Sequence, residues 1–335
     1  MSKMSIEPAR FALNGPTMGT RWSALFYRPP GFDAAPVQAA LQAAVDAVDD
    51  QMSTWKPDSD LQRLSAAPIG QWIAVSRELR QVLRQGMAIA QSSGGAFDIT
   101  MGDAVAAWGF GPDPADPARI GALLSTPRPD ATTILDFGPQ GVRKNGPAAF
   151  DLNGIAKGYG VDRLAEVLRN GGISDALVAI DGELRALGLR PDGQPWSIAV
   201  ETPDHTRRAA HSILALQDAA VATSGDYRHV VHVGGHNLSH TMDPKRGAPL
   251  RESPASVTVI ARTCAEADAW ATALMVLGAR EGMEMARRQG LDALFLLRDD
   301  AGLIRSLGVG ALFAPSPAAL PEAKTQQWTE QPTTL

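Results

Sequence analysis

The sequence predicts an α+β protein in which largely antiparallel sheets are flanked by helices. Three observations predict this class: helical periodicity early in the chain, short β-branched segments that gather later, and many turn residues, with 32 glycines and 24 prolines. Strands that alternate irregularly with helices favour antiparallel pairing over a doubly wound parallel sheet. With 335 residues and 44% hydrophobic content, the chain is long enough to bury a large core.

Five helices are expected from apolar residues that recur every three or four positions. The first covers residues 37–52, and the second starts after Ser76, a suitable N-cap, and stops before Gly94. The third starts near Lys157 and stops before Gly171, while the fourth and fifth start near Cys264 and Arg280.

Strands are expected where short β-branched or aromatic segments lie between turn residues. These segments are residues 176–180, 196–200, 257–261 and 294–297. The helices thus come early and the strands later. We expect a single domain over residues 10–315, built of two sub-lobes with the functional site between them. Residues 316–335, rich in Pro, Thr and Gln, are expected to form an irregular tail.

Charge and cysteine content exclude several classes of protein. The formal net charge of −5 provides no basic field for binding nucleic acid, and a lone cysteine, Cys264, cannot build a Cys-rich metal site. No stretch reaches the ~20 apolar residues of a membrane span, and no secretory leader is evident. We therefore expect a cytoplasmic protein without an integral membrane segment, with a periplasmic form whose leader is missing from this chain as the alternative.

A glycine-rich segment precedes the third helix. Residues 150–160 read Phe-Asp-Leu-Asn-Gly-Ile-Ala-Lys-Gly-Tyr-Gly, and they combine three glycines with Lys157 at the start of a helix. Free amides and the positive end of a helix suit a phosphate group. The alternative is a simple turn whose lysine is solvated.

A carboxylate and a hydroxyl share one face of the fourth helix. Asp268 and Thr272 are four residues apart, so their side chains project to the same side. Hard oxygen ligands of this kind suit Mg²⁺, which also retains water and binds substrate phosphates. Alternatively, Asp268 is a solvated charge and Thr272 bonds to the preceding turn of its own helix.

A histidine-rich segment offers a third site. It contains His229, His232, His236 and His240 among valines and glycines. The alternation favours a polar hairpin over a zinc site. His240 differs because Asp243 follows at a turn, and such a pair can carry out general acid–base chemistry near neutral pH.

An ordered series of short blocks resembles the ApbE family of FAD:protein FMN transferases, whose fold is T-fold-related. The resemblance spans roughly residues 18–297, and the series is far more specific than any one block. The blocks are residues 18–20 (Met-Gly-Thr), 52–61, 95–98 (Gly-Ala-Phe-Asp), 108–111 (Trp-Gly-Phe-Gly), 151–159, 222–227, 240–249 and 264–274.

The resemblance implies an enzyme that takes FAD as substrate, requires Mg²⁺, joins FMN to a threonine hydroxyl of an acceptor protein and releases AMP. It implies that the acceptor is a respiratory flavoprotein subunit. It also implies that the metal is held by the carbonyl of Ala156 and the side chains of Asp268 and Thr272. His240 is expected to be the base, with Asp243 near it and Lys157 at the phosphates. The expected flavin contacts are Met18, Trp55, Ala96, Phe97, Asp98, Asn153, Tyr159 and Met242.

This chain departs from the family pattern at several positions. Trp55 stands where tyrosine is common, Asn153 where glycine is usual, and Arg246 where the family has threonine before Gly247. Residues 181–183, Asp-Gly-Glu, occupy the place of a Gly-Gly-Asp block. These changes bear on affinity and acceptor preference more than on the type of reaction.

Three other functions stay open at this point. An FAD pyrophosphatase would use the same site with water as acceptor and yield FMN and AMP. A flavin-binding protein without turnover would retain the FAD contacts alone. A zinc hydrolase would use His232 and His236.

Overall fold

The computed structural model describes residues 7–313 except 127, 129, 205–208, 227–229, 234–235, 251–252 and 300. The side chains of residues 230–233 and 236–238 are also outside the description. The expected tail over residues 316–335 and the start of the histidine segment at His229 therefore lie outside the described residues, and the domain boundaries stay a prediction.

Seven helices occur in the described part of the chain. They are α1 (Ala35–Met52), α2 (Asp60–Ala66), α3 (Arg77–Ser92), α4 (Gly102–Ala107), α5 (Pro117–Ser125), α6 (Ala156–Asn170) and α7 (Cys264–Gln289). As expected, the Ser76 side chain caps α3 by accepting the backbone N–H of Leu79, and α6 ends at Gly171.

Eight antiparallel strands form the main sheet. In spatial order they are β1 (Ala9–Thr17), β2 (Thr20–Arg28), β5 (Ala176–Ile180), β6 (Glu183–Leu187), β9 (Ala220–Gly225), β14 (Ser256–Ala261), β15 (Asp292–Arg298) and β16 (Ile304–Val309). The sequence prediction of an α+β fold with antiparallel sheets is confirmed.

Four two-stranded units complete the described strands. They are β3 (Leu135–Gly138) with β4 (Gly141–Lys144), β7 (Trp196–Glu201) with β8 (Ala210–Leu216), β10 (Val230–Val233) with β11 (His236–Ser239), and β12 (Met242–Asp243) with β13 (Ala248–Pro249). The β10–β11 pair is the polar hairpin that the histidine segment predicts.

The main sheet is covered on both faces. Helices α6 and α7 pack on one face. Val161 and Leu164 of α6 share a core cluster with Val178 of β5. Leu274 of α7 shares another with Val257 of β14. The β7–β8 pair covers the other face with apolar side chains such as those of Trp196 and Leu216. The interior strand β14 is consequently buried along nearly its whole length, and Ser256 and Thr258 are buried in it together with its valines.

One expectation about the order of elements was wrong. Strands do not all follow the early helices, since the β1–β2 hairpin opens the described chain and pairs residue by residue from Ala9–Arg28 to Thr17–Thr20. The expected fourth and fifth helices are the two helical segments of α7, which are separated at Gly278, where φ is 72° and ψ is 179°. Glycine adopts that backbone conformation without steric cost.

The described helices include none that is long and apolar enough to cross a membrane.

Candidate active site

The glycine-rich segment forms a tight turn that leads into α6. The carbonyl of Leu152 accepts the backbone N–H groups of both Ile155, at 3.0 Å, and Ala156, at 2.8 Å. The Asp151 side chain accepts the backbone N–H of Asn153 at 3.0 Å, and the Asp151 N–H donates to the carbonyl of Ile99 at 2.9 Å. This loop is therefore tied to the segment that follows residues 96–98.

Helices α6 and α7 meet at the two places that the sequence singled out. The N–H of Gly158 donates a hydrogen bond to Oδ2 of Asp268 at 3.0 Å. A Cβ atom on Gly158 would lie 2.4 Å from the carbonyl oxygen of Cys264, so only glycine allows this approach. A Cβ atom on Gly154 would lie 2.9 Å from Oγ1 of Thr272. The glycine-rich loop and the Asp268–Thr272 face of α7 are thus in direct contact.

An acidic cluster surrounds the single lysine of this loop. The Lys157 ammonium lies 2.7 Å from Oε1 of Glu183 and 4.0 Å from Oδ2 of Asp181. Burial and the nearby Glu183 raise the pKa of Asp268 to about 7, although Lys157 and the Gly158 N–H lower it. Burial lowers the pKa of Lys157, but Glu183, Asp268 and Asp181 outweigh burial and raise it overall. This cluster has more carboxylates than one lysine can neutralise, which favours a bound cation.

A second carboxylate, Asp162, fixes the start of α7. One turn beyond Gly158 on α6, it accepts the backbone N–H groups of Cys264 at 2.9 Å and Ala265 at 3.0 Å. Arg185 of β6 pairs with the same carboxylate at 2.5 Å. Since carboxylates satisfy the free amides at the N-terminus of a helix, Asp162 holds the turn that precedes Asp268.

Several expected flavin contacts lie near the junction, by which we mean the place where the glycine-rich loop contacts the Asp268–Thr272 face of α7. Ala96 and Phe97 are buried, and Phe97 lies against the loop, with a Cβ on Gly154 placed 3.2 Å from its ring. Oδ1 of Asp98 accepts the N–H and the hydroxyl of Thr100, while burial raises the pKa of Asp98.

Met18 reaches the same helix from the β1–β2 turn. Its Cε lies 3.1 Å from the position of a Cβ on Gly160, and its backbone has a φ of 45°. Trp55, just after α1, is 61% exposed and available for stacking on a ring.

His240, Met242 and Asp243 lie at the β12–β13 hairpin. Met242 is buried in a cluster with Met101, Ala104 and Val105 of the α4 region. Oδ1 of Asp243 accepts the N–H of Lys245 at 2.9 Å, so this carboxylate shapes its own turn. His240 is half-buried two residues before the hairpin.

Three other expected site residues, Tyr159, Ala156 and Asn153, have their main contacts away from the Asp268–Thr272 face of α7. The buried ring of Tyr159 lines a groove between α3 and α6 with Glu78 and Arg163, and burial raises its pKa to about 12. Ala156 is the first residue of α6, so its carbonyl points along the helix axis. Asn153 is exposed and donates from Nδ2 to Asp151 at 2.8 Å.

Sequence reasoning missed four contributors. Gly154 is the loop residue against Thr272, and the Ser224 hydroxyl lies 3.2 Å from that of Thr272. Glu183 pairs with Lys157, and Asp162 caps α7. Gly154 lies in the glycine-rich segment and Ser224 in the block over residues 222–227, whereas Asp162 has no local signal because its partners are 102 and 103 residues away.

The donor set at the junction fits Mg²⁺. Asp268 offers a carboxylate, Thr272 a hydroxyl, and the loop offers backbone carbonyls, all hard oxygen ligands. In the described part of the chain, no three His, Cys, Asp or Glu side chains gather closely enough to hold a metal by themselves. The side chains of His232 and His236, which a zinc hydrolase would need, lie outside the described residues.

Comparison with known proteins identifies relatives over most of the chain. The model of the ApbE family matches residues 18–295. The FAD:protein FMN transferase of Vibrio cholerae is 36% identical over 294 residues, covering 87% of this chain and 88% of that protein. The FAD:protein FMN transferase of Salmonella typhimurium is 35% identical over 304 residues, covering 88% of this chain and 87% of that protein.

Solved structures of relatives share the fold. The flavin transferase ApbE from Vibrio cholerae superposes with a TM-score of 0.79 at 34% identity, over 90% of this chain and 97% of that one. The apo form of the flavinyl transferase ApbE of Pseudomonas stutzeri gives a TM-score of 0.82 at 34% identity, over 94% of this chain and all of that one.

Proposed function

The chain belongs to the ApbE family, and from this premise we propose that it transfers FMN from FAD to a threonine hydroxyl of an acceptor protein, with Mg²⁺ bound and AMP released. The observation that carries the proposal is the contact between Gly158 and Asp268, which brings the glycine-rich loop and α7 together at one point. A cation neutralises a dinucleotide's pyrophosphate, and this junction offers hard oxygen ligands for one, with the Lys157 ammonium close by.

In this proposal Asp268 and Thr272 hold the metal together with a backbone carbonyl of the loop. Ala156 is the residue that the family resemblance implies, and Gly154 is the one that packs against Thr272. When bound, Mg²⁺ neutralises the pyrophosphate and polarises the phosphorus for attack. The hydrogen bond from Gly158 to Asp268 and the closeness of Gly154 to Thr272 position these ligands between α6 and α7.

The chain's own side chains would carry the remaining steps. His240 removes the proton of the acceptor threonine, whose oxygen then bonds to the phosphorus of the FMN half. The bond between that phosphorus and the bridging oxygen breaks, and AMP leaves with the electron pair. Lys157 offsets negative charge on the phosphates, and Asp243 stabilises the turn that follows His240.

The flavin would lie among the side chains that approach the junction. We propose contacts with Met18, Trp55, Ala96, Phe97 and Asp98, and further contacts with Asn153, Tyr159 and Met242. Since the Tyr159 ring lines the α3–α6 groove, any contact from this residue would come from its backbone or the edge of its ring. The cytoplasmic location and the respiratory acceptor stay predictions.

Mass spectrometry of an acceptor tests this proposal. A flavoprotein subunit incubated with the protein, FAD and Mg²⁺ should gain the mass of FMN, and changing its target threonine to alanine should abolish the gain. Asp268→Asn should abolish transfer, whereas Glu266→Gln on the same helix should retain it. Free FMN and AMP without any modified acceptor would instead indicate an FAD pyrophosphatase, and unchanged FAD would indicate a flavin-binding protein.

A further inference from the structure

A groove of about 460 Å³ lies between α5 and the turn of the β12–β13 hairpin. Its walls combine apolar, hydroxyl and basic side chains. They are Leu123, Leu124, Ser125, Thr126, Arg128, Lys245 and Arg246. None of these residues belongs to the proposed metal or flavin contacts.

The groove adjoins the candidate active site through shared packing. Leu123 packs against the cluster that contains Met242, one of the proposed flavin contacts. Lys245 and Arg246 lie in the turn that joins Met242–Asp243 to Ala248–Pro249, just after His240. The indole N–H of Trp108 donates to the carbonyl of Gly247 at 2.9 Å and holds this turn against α4. The groove therefore lies on the hairpin that follows His240 in the chain.

The groove carries positive charge on a protein whose formal net charge is −5. Arg128 pairs with Asp103 at 2.8 Å and donates to the carbonyl of Thr100, which leaves its charge largely compensated. Lys245 and Arg246 are exposed, and neither forms an ion pair with any residue that the structure describes. Two uncompensated cations thus face the groove.

An apolar wall lies beside these cations. Leu124 of α5 is 54% exposed. Leu123 and Leu124 thus place apolar side chains beside the two cations, so the groove offers contacts to both the acidic and the apolar groups of a partner. The phosphates of a nucleotide would pair with the cations but would make no apolar contact with this wall.

We propose that this groove docks the acceptor protein, through a segment that carries acidic and apolar side chains beside the target threonine. The inference rests on the proposed transfer of FMN and adds the surface that selects the acceptor. Lys245 and Arg246 pair with the acidic side chains, while Leu123 and Leu124 contact the apolar ones. Arg246, which stands where the family has threonine, adds charge at this place in this chain.

Two separate measurements test the groove and the transfer reaction. The probes are three labelled peptides with a central threonine, flanked by Glu and Leu, by Lys and Leu, or by Gly and Ser. Binding to the full chain with Mg²⁺ and FAD is followed by fluorescence anisotropy, and FMN addition by mass spectrometry. The variants are Lys245→Glu with Arg246→Glu, Leu124→Asp, and the control Arg280→Glu, an exposed arginine of α7 far along the chain.

The Glu/Leu peptide should bind at least ~10-fold more tightly than the Lys/Leu peptide, and the double variant should invert that order. Leu124→Asp should weaken binding, and Arg280→Glu should leave it unchanged. Equal binding of all three peptides, or a double variant that alters the KM for FAD instead of peptide binding, would overturn the inference. Peptides that bind in the expected order but gain no FMN would contradict the transferase proposal and leave the docking surface intact.

Discussion

Asp162 on α6 accepts the backbone N–H of Ala265 on α7 at 3.0 Å, one helical turn from the place where Gly158 donates to Asp268. The two helices are therefore joined at two successive turns. One joint involves the proposed metal ligand, and the other fixes the helix that carries it. Most predictions below concern these joints.

Replacing Asp268 by asparagine should stop the reaction while preserving the fold. The amide retains the side chain's shape and an oxygen for the Gly158 N–H, but it removes the charge that would bind Mg²⁺. We expect FMN transfer to fall at least ~100-fold. In addition, Mg²⁺ should no longer raise the melting temperature of this variant. Normal activity of the variant at saturating Mg²⁺ would exclude Asp268 as a metal ligand.

Stability of the metal-free protein should depend on pH through Asp268. Its folded-state pKa is raised to about 7, so the folded protein holds this proton more tightly than the unfolded chain. The stabilisation from Asp268 is then fully present below about pH 4 and is lost as the pH rises through 7, by at most ~1.4 kcal/mol per pH unit.

Urea unfolding in EDTA between pH 5 and 7.5 measures this effect. The difference in unfolding free energy between the wild type and Asp268→Asn isolates one carboxylate from the others. It should shrink steadily as the pH rises. A difference that is constant over this range would disprove the assignment.

Asp162→Ala should destabilise the protein and weaken metal binding together. The change leaves two backbone amides of α7 without an acceptor. It also leaves Arg185 without its partner in an ion pair whose two side chains, those of Arg185 and Asp162, are each only 14% exposed. We expect a loss of about 3 kcal/mol and a Mg²⁺ affinity ~10- to 100-fold lower. Glu281→Ala, which removes an exposed pair with Arg280, serves as the control and should change neither quantity.

Gly158→Ala should separate the two helices. The added Cβ would lie 2.4 Å from the Cys264 carbonyl and 2.8 Å from Cβ of Asp268, and backbone cannot move aside cheaply. We expect about 1–3 kcal/mol of destabilisation in chemical denaturation and a loss of transfer. By contrast, Gly121→Ala in α5 meets no atom within 4 Å and should be neutral or slightly stabilising. Equal behaviour of the two variants would contradict the close contact of α6 and α7.

Trp55 should contribute to FAD affinity by stacking. Its side chain is 61% exposed, so its removal creates no cavity in the core. Trp55→Ala should raise the Kd for FAD about 3- to 10-fold, measured by quenching of flavin fluorescence, while Trp55→Tyr should largely restore it. An unchanged Kd in the alanine variant would place the flavin elsewhere.

The sequence predicted best what depends on neighbouring residues. The capping of α3 by Ser76, the end of α6 at Gly171 and the shared face of Asp268 and Thr272 all follow from helical spacing. The contact between the glycine-rich loop and α7 came from family resemblance, since 110 residues separate Gly158 from Asp268. The structure shows the contact as a hydrogen bond of 3.0 Å.

Features that depend on distant partners were missed. The β1–β2 hairpin carries Gly15 and Pro16 inside its first strand, which weakens the local strand signal, yet pairing with β5 completes it. Asp162 looks like an ordinary exposed charge on α6 until Arg185 and the start of α7 surround it. Neither could be deduced from periodicity, because tertiary pairing decides both.

The order of strands in the main sheet has a consequence for synthesis on the ribosome. Each strand lies next to one that precedes it in the chain, from β1 at one edge to β16 at the other. A nascent chain that has emerged as far as Ala261 already contains six of the eight strands but not yet α7. The sheet can therefore grow edgewise during translation, and the chain gains its nucleotide-handling capacity only when its last third is made.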